Sequence, residues 1–269
     1  MCITIVGPST GVYTETLESI PQIEEWDASR EKLGWTILNM QKTGFHHWGF
    51  VIYRGTYGDD AKWQRYLGSM KKQIQLALEY DGRDVLLPQY LEWTVIEDKE
   101  KLEGATKAQV RSLHAAWAAA ADLTRYAPPV DDVPRLYRPV ERFPRFKYCI
   151  YVDQDCLDTL DAWEEWDRIP VEPGLTKIAV SVVKGPHPSV VCALIDVACP
   201  PEGKGKDGYP SLEGCTKEYP GWIYTDVDTI PGHYDELHNE SLYRNLGGYG
   251  RPPLVYPRHN RGSSMPHPQ

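Results

Sequence analysis

The apolar positions of this chain fall into two periods, and they alternate along it. Trp48-Gly-Phe-Val-Ile-Tyr-Arg-Gly-Thr-Tyr57 reads as a strand, with Phe50 and Ile52 on one side and Val51, Tyr53 and Tyr57 on the other. After Gly58-Asp59-Asp60 the spacing changes. Trp63, Leu67, Met70, Ile74 and Leu78 then mark one face of an amphipathic helix that ends before Gly82. Asp59 or Asp60 is placed to cap it. A fainter echo follows: the run Phe146–Val152, then Asp153-Gln-Asp-Cys-Leu157 and Leu160. Between the two, Leu91–Ile96 predicts a strand. Thr106 and Gln109 form a capping box for a helix through Val110, Leu113 and Trp117 to Ala121.

Weaker signals complete the order. Leu33–Met40 is expected to be a first strand, with Trp35, Ile37 and Leu38 inward. Lys177–Val183 and Val190–Val197 flank Gly185-Pro-His-Pro188 as a hairpin, Trp222–Val227 predicts a short strand, and Tyr234–Leu246 a last helix. Residues 200–220, rich in Gly, Pro and Lys, read as a mobile loop. Regular βα alternation would favour a parallel doubly wound sheet. The hairpin and the absence of a Gly-rich phosphate turn favour α+β instead, a ferredoxin-like sheet backed by helices with two similar halves. The expected organisation is an extended lead-in over 1–32, one α+β domain over 33–250, and a disordered tail over 251–269.

Composition narrows the classes. At 269 residues the chain can bury about three quarters of its unfolded surface without a staple. Its 17 Tyr and 9 Trp against 4 Phe suit half-wet walls better than dry cores. A net charge of −9 disfavours nucleic acid as a partner, since phosphate binding rests on Lys and Arg. The Arg135–Lys147 cluster is broken by prolines and reads as a solvated loop. None of the six cysteines forms a C-x-x-C pair, which points to free thiols in a reducing compartment. No run approaches a membrane span and no leader is evident, so the expected location is cytoplasmic.

Candidate chemistry is sparse. Asp153-Gln-Asp155 after an apolar strand has the spacing of the D-x-D of sugar-nucleotide transferases and of the haloacid-dehalogenase nucleophile and acid. The simpler account, with Asp155 as a helix cap and Asp153 at the strand end, outranks both. Helix capping also accounts for Asp59-Asp60. His46-His47 point to opposite sides on extended backbone, and His233 and His238 are five apart, so no metal is expected. No cofactor motif occurs, which leaves cofactor-independent acid–base chemistry on a small-molecule substrate.

Alternation supplies a site for it. Tyr53 and Tyr57 share one side of a strand; Tyr151 and Asp153 share one side of another; Glu92 lies beside Thr94 on the strand between. With helices on the opposite face, these groups would line an open hollow. Tyr53, Glu92, Tyr151 and Asp153 are then the candidate catalytic groups, and Arg54, Tyr57 and Trp48 the substrate-binding ones. A structural network of tyrosines and carboxylates is the competing account.

Several segments taken together, Trp48-Gly-Phe-Val-Ile-Tyr-Arg54 with Tyr57, Asp59-Asp60 and Trp63, Arg145-Phe-Lys-Tyr-Cys149 with Val152-Asp153, Glu213-Gly-Cys215, Gly221-Trp222, Tyr234, Leu237 and Arg251-Pro-Pro253, give the chain a family likeness. It resembles a large uncharacterised family of filamentous ascomycete proteins over about residues 33–253. It departs from that family's pattern at Ile223-Tyr-Thr225 and at Gln64. The resemblance implies a fungal accessory protein, with cyclases, isomerases or aminoacyl-tRNA-using cyclodipeptide synthases of secondary metabolism as associated activities. A non-catalytic binding protein is the alternative. Oligomeric state is left open.

Overall fold

The computed structural model describes residues 2–6, 13–124, 140–171, 174, 182–185, 188–244 and 251–256. Within them, β1 (Cys2–Val6), β2 (Val51–Arg54), β3 (Trp93–Glu97), β4 (Tyr148–Val152), β5 (Val191–Asp196), β6 (Trp222–Asp226) and β7 (Val255–Tyr256) form one mixed sheet. The spatial order is β1-β3-β2-β4-β5-β6-β7. The strand β2 pairs parallel with β3 and β4; β1 runs antiparallel to β3, and β5 antiparallel to β4 and β6. The helices are α1 (Glu25–Ala28), α2 (Gly34–Thr43), α3 (Asp60–Tyr80), α4 (Lys99–Leu102), α5 (Lys107–Ala119), α6 (Pro144–Lys147), α7 (Gln154–Arg168) and α8 (Ile230–Glu236).

The class is α+β, a mixed sheet backed by helices. Its centre differs from a ferredoxin-like sheet, whose split βαβ units hold another strand between the two parallel ones. Here β2 lies directly beside both of its parallel partners. From β2 the chain crosses through α3 to β3 on one side. It then returns through α5, past β2, to β4 on the other. Parallel crossovers are right-handed as a rule, so two that run in opposite directions put α3 and α5 on opposite faces. Helix α7 joins α3 on its face through a ladder of exposed ion pairs: Lys62 with Asp158 and Asp161, Arg65 with Glu164, Lys72 with Asp167.

Local signals set most boundaries. Asp59 caps α3 by accepting from the Lys62 N–H, and Trp63, Met70, Ile74 and Leu78 are buried along it. The Thr106–Gln109 capping box opens α5. Asp153, rather than Asp155, caps α7. The strand expected over Leu33–Met40 is instead part of α2. Residues 36–40 are all buried there, so the apolar run has no wet face from which a period can be read. The last helix starts earlier than expected, at Ile230, with Pro231 in its first turn where a missing N–H costs nothing. Of the expected hairpin, Pro186, His187 and residues 175–181 lie outside the described residues; residues 182–184 are helical rather than extended, and the second arm is β5. Residues 2–6 of the expected lead-in pair with β3, and residues 255–256 of the expected tail pair with β6.

Among the described residues no helix is long and apolar enough to cross a membrane. Cys149, Cys156, Cys192, Cys199 and Cys215 are buried free thiols.

Candidate functional site

Alternation does put the candidate groups on one face, because Tyr53 is level with Tyr151, and Val51 with both Thr94 and Cys149. That face is not open: α5 and α6 cover it. The Tyr53 hydroxyl bonds His114 of α5 at 3.2 Å, and the Tyr151 hydroxyl donates to the Ala105 carbonyl at 2.7 Å. Burial lowers the His114 pKa to about 3, so its ring is neutral. Burial and, to a lesser extent, Cys149 push the Tyr53 phenol well above its ordinary value.

Glu92 is separated along the strands. It lies two residues before Thr94, which is level with Cys149 through Val51, while Tyr151 lies two residues beyond Cys149; four residues at ~3.3 Å each put it about 13 Å away along the strands. Its carboxylate accepts from Arg145 at 2.6 Å and from the Thr94 hydroxyl at 2.7 Å, with His47 at 3.4 Å. Burial opposes its charge, but Arg145, Thr94 and His47 together hold its pKa below the usual range. It serves Arg145, not a shared hollow.

The expected substrate-binding trio is structural as well. Trp48 is buried and donates to the Leu87 carbonyl at 2.8 Å. Arg54 donates to the Thr56 carbonyl at 2.7 Å and to Glu97 at 3.2 Å, pairs with Asp60, and lies 4.4 Å from the Tyr57 ring centroid. Tyr57 accepts from the Asp98 N–H at 2.8 Å. Together they pin β2 to α3 and β3.

Of the four candidate catalytic groups, Tyr151 and Asp153 meet in one cleft, at the carboxyl ends of β2 and β4. These neighbouring strands send their connections to opposite sides, β2 toward β3 and β4 toward β5. Where connections diverge in this way a crevice is left between them, and ligands of open α/β sheets collect there. A cleft of about 380 Å³ opens at this place. Its walls come from Gly55 and Thr56 after β2, residues 103–107 at the start of α5, Tyr151 and Asp153 to Asp155 around the start of α7, and Glu213 from a distant loop. Gly55 is required: a Cβ there would stand 2.3 Å from the Tyr151 ring.

One ammonium organises the cleft. Lys107 is 2.8 Å from Asp153 and 3.1 Å from Glu213, and lies 4.7 Å from the Trp222 ring centroid. Burial opposes its charge, but the two carboxylates outweigh it and raise its pKa. Asp153 also accepts the Cys156 N–H at 3.0 Å and meets the Tyr224 hydroxyl at 3.4 Å. Burial works against the Asp153 charge, yet Lys107 and the Cys156 contacts lower its pKa. Asp155, two residues on, moves the other way: burial first, then the Asp153 charge, raise it. For Tyr151, burial and Asp153 raise the phenol pKa.

Sequence reasoning missed Lys107 and Glu213. One signal was available for Lys107. A lysine at the first position of a capped helix opposes the helix dipole, and such a placement needs carboxylates to hold it. Glu213 stood only in the Glu213-Gly-Cys215 part of the family likeness, with no role attached; its partner lies 106 residues away, beyond any local pattern. Among the described residues no group of three or more His, Cys, Asp or Glu is placed to hold a metal ion. The chain matches no protein-family model, no curated protein and no solved structure.

Proposed function

We propose that this protein is a small-molecule enzyme of the cyclase or isomerase type, working by cofactor-independent acid–base chemistry in the cleft between β2 and β4. One observation carries the reading. Asp153 and Asp155 face the same cleft, and their surroundings push their pKa values apart. Such a split separates a carboxylate held ionised from a neighbour that takes up a proton more readily. Asp155 is the proton-transfer group. Asp153, held ionised by Lys107, is the fixed charge that stabilises developing positive charge on the substrate. The Tyr151 hydroxyl is committed to Ala105 and shapes the wall. Four carboxylates, Glu103, Asp153, Asp155 and Glu213, against one ammonium favour a small polar substrate over an RNA backbone.

The test is incubation of the protein with a cell-metabolite extract in D2O, read by untargeted mass spectrometry. Wild type is expected to convert, or to deuterate at carbon, a metabolite that Asp155→Asn leaves at least ~100-fold slower. Glu103→Trp, which fills the cleft from its exposed rim, should abolish the change. A wild-type profile identical to both variants refutes the reading.

A further inference from the structure

The loop from β5 to β6 is held at its base and along its returning arm, where Arg251 donates to the Cys215 and Lys217 carbonyls at 2.9 Å and Cys215 is buried. At its base Lys204 and Tyr219 exchange two backbone hydrogen bonds of 2.9 Å. Arg111 donates to the Pro220 carbonyl at 3.2 Å and fills the space a Cβ on Gly221 would need. Beyond the base, residues 205–214 are exposed apart from Leu212, which is half-buried and packs on the core. Gly205, Gly208 and Gly214 punctuate the segment with positive φ, and a Cβ at Gly208 or Gly214 would meet nothing within 4 Å. The end is a two-residue turn in which Leu212 and Cys215 exchange hydrogen bonds of 2.9 Å. Its first central residue is Glu213, at φ 48, where Asn or Asp is the usual occupant. A glutamate there is strained and persists only if something else holds it.

That hold is on the cleft. One Glu213 oxygen accepts the Lys107 backbone N–H at 2.8 Å, and the other stands 3.1 Å from the Lys107 ammonium. We infer that residues 205–214, the part of the loop outside these anchors, form a lid over the cleft and that Glu213 is its latch. In the closed state the latch satisfies a free amide at the start of α5 and completes the Lys107 charge pairing. In the open state Lys107 keeps Asp153, and its side toward the loop faces incoming substrate. Leu212 supplies the apolar contact that lets the lid reseat. The inference rests on the cleft being the site, but the lid's motion is measurable without substrate.

Hydrogen–deuterium exchange on the full chain tests it, comparing wild type with Glu213→Gln and Glu213→Gly. The Lys107 amide donates across the cleft to Glu213 and reports the latch itself; the Tyr209, Leu212 and Cys215 amides are paired across the loop's own hairpin and report its fraying once the tip is released. In both variants they are expected to exchange about tenfold faster, while Cys192–Ile195 of β5 are unchanged. Trypsin should then cut after Lys206 sooner than in wild type. Equal acceleration in β5 would mean that Glu213 merely stabilises the fold, and no acceleration would mean that it latches nothing; either overturns the lid. A moving lid with no metabolite conversion would leave the lid standing and remove the chemistry.

Discussion

Replacing Lys107 by Met removes the one positive charge that faces the cleft among the described residues and leaves its shape nearly intact. The Lys107 and Asp153 side chains are 11% and 17% exposed, so the pair is close to the buried limit. Removing one partner of a buried pair costs about 3–5 kcal/mol, because the other charge stays desolvated and unmatched. Asp153 keeps the Cys156 N–H, and Glu213 is 29% exposed, so the low end applies, about 3 kcal/mol. The sign with pH follows from the two shifts. The depressed Asp153 pKa gives stability that is present above the unfolded value of about 3.9 and lost as pH falls through the folded one. The raised Lys107 pKa gives stability that is present below about 10.4 and lost as pH rises through its folded value. The variant's deficit is therefore flat around neutral pH. It narrows in acid, as the unpaired Asp153, its pKa now raised by burial, takes up a proton. Urea unfolding at pH 7 and pH 4.5 measures this, and the double variant with Asp153→Asn should recover about 2 kcal/mol of the loss. A deficit below about 1 kcal/mol, or strictly additive single variants, would show that the pair is not the buried anchor of the cleft.

Two further outcomes are expected. Gly55→Ala drives a Cβ into the buried Tyr151 ring and should cost about 2 kcal/mol in thermal or urea unfolding; Gly58→Ala, with nothing within 4 Å, should stay within about 0.5 kcal/mol. Equal effects would contradict the close approach of β2 and β4 at the cleft. With its pKa lowered to about 3 by burial, His114 should show ring proton shifts that are constant from pH 5 to 8 by NMR. Because the unfolded chain binds a proton that folded His114 refuses, its contribution is complete above about pH 6.5. It falls by up to ~1.4 kcal/mol per unit below that. A titration midpoint near 6.5 would place His114 in solvent.

What the chain determined by itself is local and periodic. Caps need only a short acceptor next to free N–H groups, so the ends of α3 and α5 were legible at Asp59, Thr106 and Gln109. A period of two assigns a face, so Tyr53, Tyr151 and Glu92 were correctly grouped on one side of the sheet. Periodicity failed at α2, where burial on all sides leaves no polar stripe. Tertiary structure alone decided the rest. Which strands become neighbours, and how far each slides past the next, depends on crossovers and register, and these moved Glu92 away from Tyr151. Whether a polar face stays open depends on which helix lands on it, and α5 closed this one except at the carboxyl ends of β2 and β4. The charges of the cleft come from residues 46 and 106 apart in the chain, Lys107 with Asp153 and Glu213. No local pattern specifies such a meeting, because electrostatic pairing acts through space and is set only when the fold brings the partners within reach.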